Sequence, residues 1–295
     1  MAAVTPAVSL KPSRGLRRRL IVNKLMEVIG WAAALAAVGV LIVVIISVAV
    51  RAWPALSWDF LTQPPPALFG QQGGGISSAI VGSAIIVALA TALALPVGVL
   101  IGIYLTEFAP SYIARPVQLV LDVLNGLPTI ITGIFVYGLL VIGHGQSAYA
   151  GAFALAIVML PLVARAAQET LLLVPAALRE GSLALGVSRW RSVLGVILPT
   201  TLGGILTGAV LAVARAAGET APLLFTCSIF NPAVSTDIRH AMPNIPVLIF
   251  TYSEQPDKAL HEQAWGAALV LMVFVLVASL TAKALLARSR RKLGR

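Results

Sequence analysis

Two opposite charges stand four residues apart inside an apolar stretch, LAVARAAGETAPLLF, as Arg215 and Glu219. A charge at the centre of a bilayer costs about 2.5–3.5 kcal/mol on insertion scales, so such residues are rare and usually face a pathway. A spacing of four puts both side chains on one helix face, where they can pair and lower each other's cost. Two readings are open: an ion pair that locks helices together, or a polar gate or substrate contact on a path through the membrane. The second is preferred because of where such charges usually point. Gly218 and Pro222 flank the pair and can loosen that helix locally. Arg165, in VMLPLVARAAQET, closes another apolar run. By position alone it is an anchor that snorkels to the headgroups. Asp122 reads as a helix-end or interhelix contact. Pro128, after Asn125 and Gly126, removes a helix hydrogen bond and predicts a kink, with a gate-lining role as the lesser reading.

Other chemistries find little support. The single Cys227 excludes a disulfide within the chain and any multi-cysteine metal site. His144, His240 and His261 are scattered, so no metal site is expected. The intramembrane charges form no acid–base–nucleophile set. The sequence holds no GxxxxGK[ST] phosphate loop, so ATP hydrolysis is not expected of this chain and no cofactor is.

The elements that must position these residues are membrane helices. Of 295 residues, 59% are hydrophobic and 11% charged, with mean hydropathy +0.95. A soluble domain of this size carries far more polar surface. Six apolar runs, 28–50, 77–104, 117–142, 147–165, 202–226 and 264–287, are long enough to cross a bilayer, which takes about 20 residues. The first follows a basic start but is too long for a signal-peptide core. The net charge of +10 does not point to nucleic acid, because the charge lies beside the spans. With both termini inside, the cytoplasmic side holds 17 Lys and Arg and the outside 3, which fixes the expected orientation. The expected organisation is a basic tail (1–27), one transmembrane domain (28–287, its core 75–287) and a second basic tail (288–295). Residues 1–20 are expected to be mobile near anionic lipid. The external loops 51–76 and 227–263 read either as solvated connections or as surfaces for an extracytoplasmic partner.

A long polar loop, 166–201, separates the fourth and fifth spans. Its segment PAALREGSLALGVSRWRSVLGVILP runs from Pro175 to Pro199, with Gly186 as a bend and Pro199 where the next helix begins. Leu178, Leu183, Leu185 and Trp190 supply apolar matter; Arg179, Glu180, Arg189 and Arg191 supply polar matter. Such a helix can rest on lipid or insert into a partner's cleft. The segment resembles the EAA loop of ABC importer permeases: Glu-Ala-Ala, three residues, Gly, nine residues, Ile-x-Leu-Pro. Here Glu180 opens it, Gly181 and Ser182 replace the alanines, Gly186 keeps its spacing, and Val196, Ile197, Leu198 and Pro199 close it. That spacing favours docking to an ATPase through Glu180, Gly181, Ser182, Ala184, Gly186 and Pro199.

The stretches LNGLPTIITGIFVYG and ARAAGETAPLLFT, with the loop between them in the same order, resemble the PstA-type permeases of phosphate-specific ABC importers. The likeness covers most of the chain from about residue 75. It implies an all-α bundle of six transmembrane helices of the type I ABC importer kind, multi-pass in a prokaryotic plasma membrane. It implies a PstC-type sister permease, a PstB-type ATPase dimer that binds the ATP, and an external PstS-type phosphate-binding protein. It also implies roles on the pathway for Arg165, Arg215 and Glu219. The chemistry fits, since an arginine stays charged when desolvated and offers a planar fork of donors to an oxyanion. Glu219 could accept a hydrogen bond from protonated phosphate, which sulfate cannot supply. A permease for sulfate or molybdate is the close alternative; an ATP-independent channel or carrier is the alternative of another class.

Overall fold

A computed structural model describes residues 14–65, 74–228 and 233–293. Its helices run α1 (Arg14–Ala52), a 3-10 turn (Trp53–Ala55), α2 (Trp58–Thr62), α3 (Ser77–Ile103), α4 (Ser111–Gly126), α5 (Thr129–Val136) and α6 (Ala148–Leu172). They continue as α7 (Ala176–Ala184), α8 (Arg189–Ser192), α9 (Leu198–Ala216), α10 (Ala221–Thr226), α11 (Ile245–Ser253) and α12 (Lys258–Leu293). π-Helical turns extend α3 (Tyr104–Phe108) and α5 (Tyr137–Val141) and lead into α9 (Val193–Ile197). Among the described residues there is no strand.

Residues 1–50 and 51–295 form separate compact units. The first unit is the bulk of α1, whose apolar side chains are mostly exposed from Leu20 to Val50. At about 1.5 Å per residue a helix of 39 residues outruns the roughly 30 Å hydrocarbon core. The expected mobile tail lies outside the described residues as far as residue 13; from Arg14 onward the basic segment is helical. The basic stretch after 287 is helical too, since α12 continues to Leu293.

In the second unit α6 is the central helix, rich in buried alanines. Two pairs of glycines four residues apart grip it. Gly98 and Gly102 bring α3 against Val163, Ala164 and Ala167, and Gly204 and Gly208 bring α9 against Thr170 and Ala166. Small residues at this spacing let helix backbones approach within a membrane, where lipid gives little push toward association.

Five helical stretches are long and apolar enough to span a membrane, and a bent pair makes a sixth. The runs expected at 77–104 and 264–287 are α3 and α12. The expected kink at Pro128 is a full break, with α4 and α5 meeting at 98°. Pro128 has no N–H to donate and drives the residue before it out of the helical region. Leu127 is accordingly extended, at φ −69° and ψ 135°. The run expected at 202–226 is also divided, since α9 ends at Ala216 and α10 begins at Ala221. Helical structure ahead of it starts at Arg189, ten residues before Pro199. The two short helices after the breaks pack on each other: a Cβ on Gly133 would lie 2.8 Å from Cα of Pro222.

The two loops expected to be external, 51–76 and 227–263, carry core residues. Phe60, Ile76, Ile245, Leu248 and Tyr252 are buried in one cluster with α12. Asn244 caps α11 through the Val247 N–H, and Ser83 on α3 accepts from the Ile245 N–H at 2.8 Å.

Candidate functional site

The expected site residues fall into two groups. The first lies in the helical bundle beside the breaks. Arg215 ends α9, and Glu219 sits in the break between α9 and α10 rather than on a continuous helix. Arg215 Nε and Glu219 Oε1 are 3.7 Å apart, too far for a hydrogen bond. The Arg215 side chain is 57% exposed and that of Glu219 17%. This is a loose pair whose cation keeps most of its donors open.

Arg165 is not at the end of its helix, because α6 runs on to Leu172. Nor does it snorkel alone: its Nη2 donates to Oδ1 of Asp122 on α4. The pair joins α6 to the last turns of α4, just before the Pro128 break. Asp122 is thus the interhelix contact its position suggested. The structure does not bring Arg165 and Arg215 together. The antiparallel register set by Ala166 against Gly208 and Thr170 against Gly204 puts their levels about six residues apart, or about 9 Å along the helices.

The second group is the polar loop. α7 turns one face outward, with Leu178, Glu180, Gly181, Leu183 and Ala184 exposed and Leu185 beyond them. Gly186 ends it at φ +75°, a left-handed conformation that a side chain disfavours. Its N–H donates to the Leu183 carbonyl and that of Val187 to the Ser182 carbonyl. These are the two bonds of a Schellman cap, so the bend read from the sequence is a helix stop. Pro199 is exposed in the first turn of α9. Ser182 differs from the other expected docking residues. It is buried, with its Oγ 2.5 Å from that of Ser192 and bonded to the Arg179 carbonyl. It belongs to the packing under α7, not to the open face.

Sequence reasoning missed the partner of Arg179. Its guanidinium donates to Glu107 Oε1 at 2.9 and 3.1 Å, to the Val174 carbonyl at 2.6 Å and to the Leu171 carbonyl at 2.7 Å. The available signal was Glu107 itself, one of only 11 acids in the chain, standing at the end of an apolar run. Phe108 stacks on Trp190 beside it, ring centroids 4.5 Å apart. A cavity of about 240 Å³ adjoins the pair, lined by Thr106, Glu107, Arg179, Arg189 and Ser192 among others. Among the described residues no cluster of three or more His, Cys, Asp or Glu is arranged to hold a metal ion.

Comparison with known proteins agrees with this architecture. Residues 98–293 match the family described as binding-protein-dependent transport system inner membrane component. The phosphate transport system permease protein PstA of Xylella fastidiosa is 39% identical over 279 residues, covering 93% of this chain and 96% of that protein. The PstA of Yersinia pestis is 36% identical over 272 residues, covering 91% of each. Among solved structures, a bacterial ABC transporter involved in the import of the acidic polysaccharide alginate superposes with a TM-score of 0.61, at 17% identity, over 92% of this chain and 99% of that one. At that identity the likeness is one of fold. A bundle of apolar helices around α6, an outward-facing loop helix and these matches together place the chain in the family of binding-protein-dependent transport system inner membrane components, as a permease of the PstA type.

Proposed function

We propose that the chain is a transmembrane permease subunit of an ATP-driven phosphate importer, forming half of the translocation path. The observation that carries the reading is Arg215: a cation at a helix break within the bundle, open on the surface of the chain and only loosely held by Glu219. A guanidinium in that setting cannot face lipid cheaply. A water-filled path shared with a sister permease satisfies it, and an oxyanion is the ligand its fork of donors suits. The relatives named for phosphate transport supply the substrate.

In this reading phosphate arrives from an external binding protein, and both chain ends lie in the cytoplasm, as the Lys and Arg asymmetry requires. Arg215 meets the anion first at the break. Glu219 accepts a hydrogen bond from the O–H of the monobasic form. Arg165, held by Asp122, is the next cation along the path and is released as α4 and α6 move apart. Contacts stay weak, because a transporter must release what it passes. ATP is hydrolysed on a partner ATPase dimer, which docks on α7 through Glu180, Gly181, Ala184 and their neighbours. In this reading the partners are a PstC-type sister, a PstB-type ATPase and a PstS-type binding protein.

The test is uptake of labelled phosphate into vesicles holding the full complex, with and without ATP, and with sulfate and molybdate as competitors. ATP-dependent uptake that excess sulfate leaves intact is the expected result. Uptake that sulfate suppresses moves the substrate to oxyanions in general, and uptake that ignores ATP removes the importer reading.

A further inference from the structure

The inner face of α7 carries Arg179, which bonds to α3 and to the end of α6, and Ser182, which bonds to Ser192. Arg179 and Ser182 share that face at a spacing of three, while Leu178, Glu180 and Leu183 point away. The Arg179 guanidinium reaches two helices and the connection after the second. Glu107 belongs to the π-helical end of α3, and the Leu171 and Val174 carbonyls belong to the last turn of α6 and the residues after it. The carbonyls that end a helix lack partners within it, so a cation there is held by hydrogen bonds and by the helix dipole together. Glu107 is 10% exposed and Arg179 24%. Beneath the pair, Ile103, Leu171, Val174, Val193 and Ile197 form a buried cluster. A cavity of about 240 Å³ adjoins the pair, so it is the hydrogen bonds to Glu107, Leu171 and Val174 that fix the guanidinium.

We propose that Arg179 and Glu107 are positioning residues of the transport cycle: the joint through which displacement of a docked α7 reaches α3 and α6. The inference rests on the reading of the chain as an ATPase-driven permease. Two features give the joint its reach. α3 and α6 are locked along their length by Gly98 and Gly102, so what moves one moves both. Arg165 lies on α6 about 9 Å above Leu171. A pull on Arg179 thus travels up α6 to the Arg165–Asp122 pair, the contact that α4 must give up if the path is to open. The π-helical turn that carries Glu107 is a strained form of helix that recurs at functional sites.

The experiment uses the full complex in vesicles, with phosphate-loaded binding protein outside, and measures phosphate taken up and ATP hydrolysed in the same sample. For Glu107→Gln and Arg179→Gln, hydrolysis persists while uptake falls, so ATP spent per phosphate rises by about fivefold or more. A second arm replaces the joint covalently. Glu107→Cys with Arg179→Cys is uncoupled when free, and a short bifunctional thiol reagent returns the ratio toward wild type; native Cys227 is fully buried and does not compete. A ratio that stays at the wild-type value, whether both rates hold or both fall together, overturns the joint. So does a bridged double variant that remains uncoupled. A wild-type complex that fails to couple ATP to phosphate uptake overturns the importer reading instead.

Discussion

Two arginine–carboxylate pairs sit in this chain under opposite conditions. Arg179 and Glu107 come from elements 72 residues apart, approach to 2.9 Å, and fill their remaining valences with carbonyls. Arg215 and Glu219 are neighbours in sequence, stay 3.7 Å apart across a helix break, and leave the guanidinium open. A fully satisfied pair resists change: removing one partner strands the other in a poorly solvated place. A slack pair has donors to spare, and an anion passing by can use them without a rearrangement. The first pair suits the coupling role proposed for it, and the second suits the proposed contact with the anion.

The largest effect that separates them is on stability. Glu107→Ala leaves a largely buried guanidinium without its counter-ion, a loss of about 3 kcal/mol. Glu219→Ala in an open pair costs under about 1 kcal/mol. Thermal unfolding of the purified complex, read by loss of monodispersity, ranks the two. Equal losses would erase the distinction, because Glu219 would then be holding helices together.

Transport reverses the order of blame. Arg215→Gln removes a charge-assisted donor set worth about 1.5–3 kcal/mol to a bound anion, and so lowers phosphate uptake by roughly ten- to a hundredfold. Complex assembly and ATP hydrolysis stay near wild type. Uptake that survives the substitution makes Arg215 a structural ion pair after all. A smaller, purely mechanical effect belongs to the loop. Gly186→Ala forces a side chain into φ +75° at about 1 kcal/mol. It frays the end of α7 and weakens co-purification with the ATPase, leaving the path chemistry untouched.

The sequence made one side of the comparison plainer than the other. Arg215 and Glu219 are conspicuous because charges inside an apolar run are costly; Arg165 reads by position as a snorkelling anchor and stands out only through the resemblance. The length of the apolar runs sufficed to find α3, α6 and α12, though α6 continues past the expected end at 165 to Leu172. The breaks were visible only as Pro128, Gly218 and Pro222. A proline announces that a hydrogen bond is lost, but whether a helix bends or stops depends on what packs beside it, here Gly133 against Pro222. Glu107 stood out as a scarce acid closing an apolar run, but its pairing with Arg179 could not be read, since nothing in a chain ties residues so far apart until the fold is known. Burial of Ser182 was hidden for the same reason: its neighbour Ser192 lies across the turn made by Gly186. Loop 227–263 read either as a solvated connection or as a partner surface, yet Asn244 and Tyr252 are buried where it folds back on α3 and α12.

The finest test of the comparison is Glu219→Gln, which changes charge at nearly constant shape. In the wild type the carboxylate stands 3.7 Å from the Arg215 guanidinium and takes back part of its attraction for any anion. It repels a fully ionised oxyanion outright, while a protonated phosphate can offer it a hydrogen bond. The amide removes the repulsion and weakens that bond, so the variant should keep appreciable uptake while losing discrimination. Sulfate should then compete with labelled phosphate about fivefold more effectively than in wild type, a difference on the order of 1 kcal/mol, typical of one net hydrogen bond. The loss should be sharpest at mildly acidic pH, where monobasic phosphate is most abundant and the wild-type carboxylate has most to accept. If sulfate remains excluded from the Gln variant, Glu219 does not read the substrate's proton. Discrimination must then come before the membrane, in the external binding protein, with Arg215 left as an attractor that does not select.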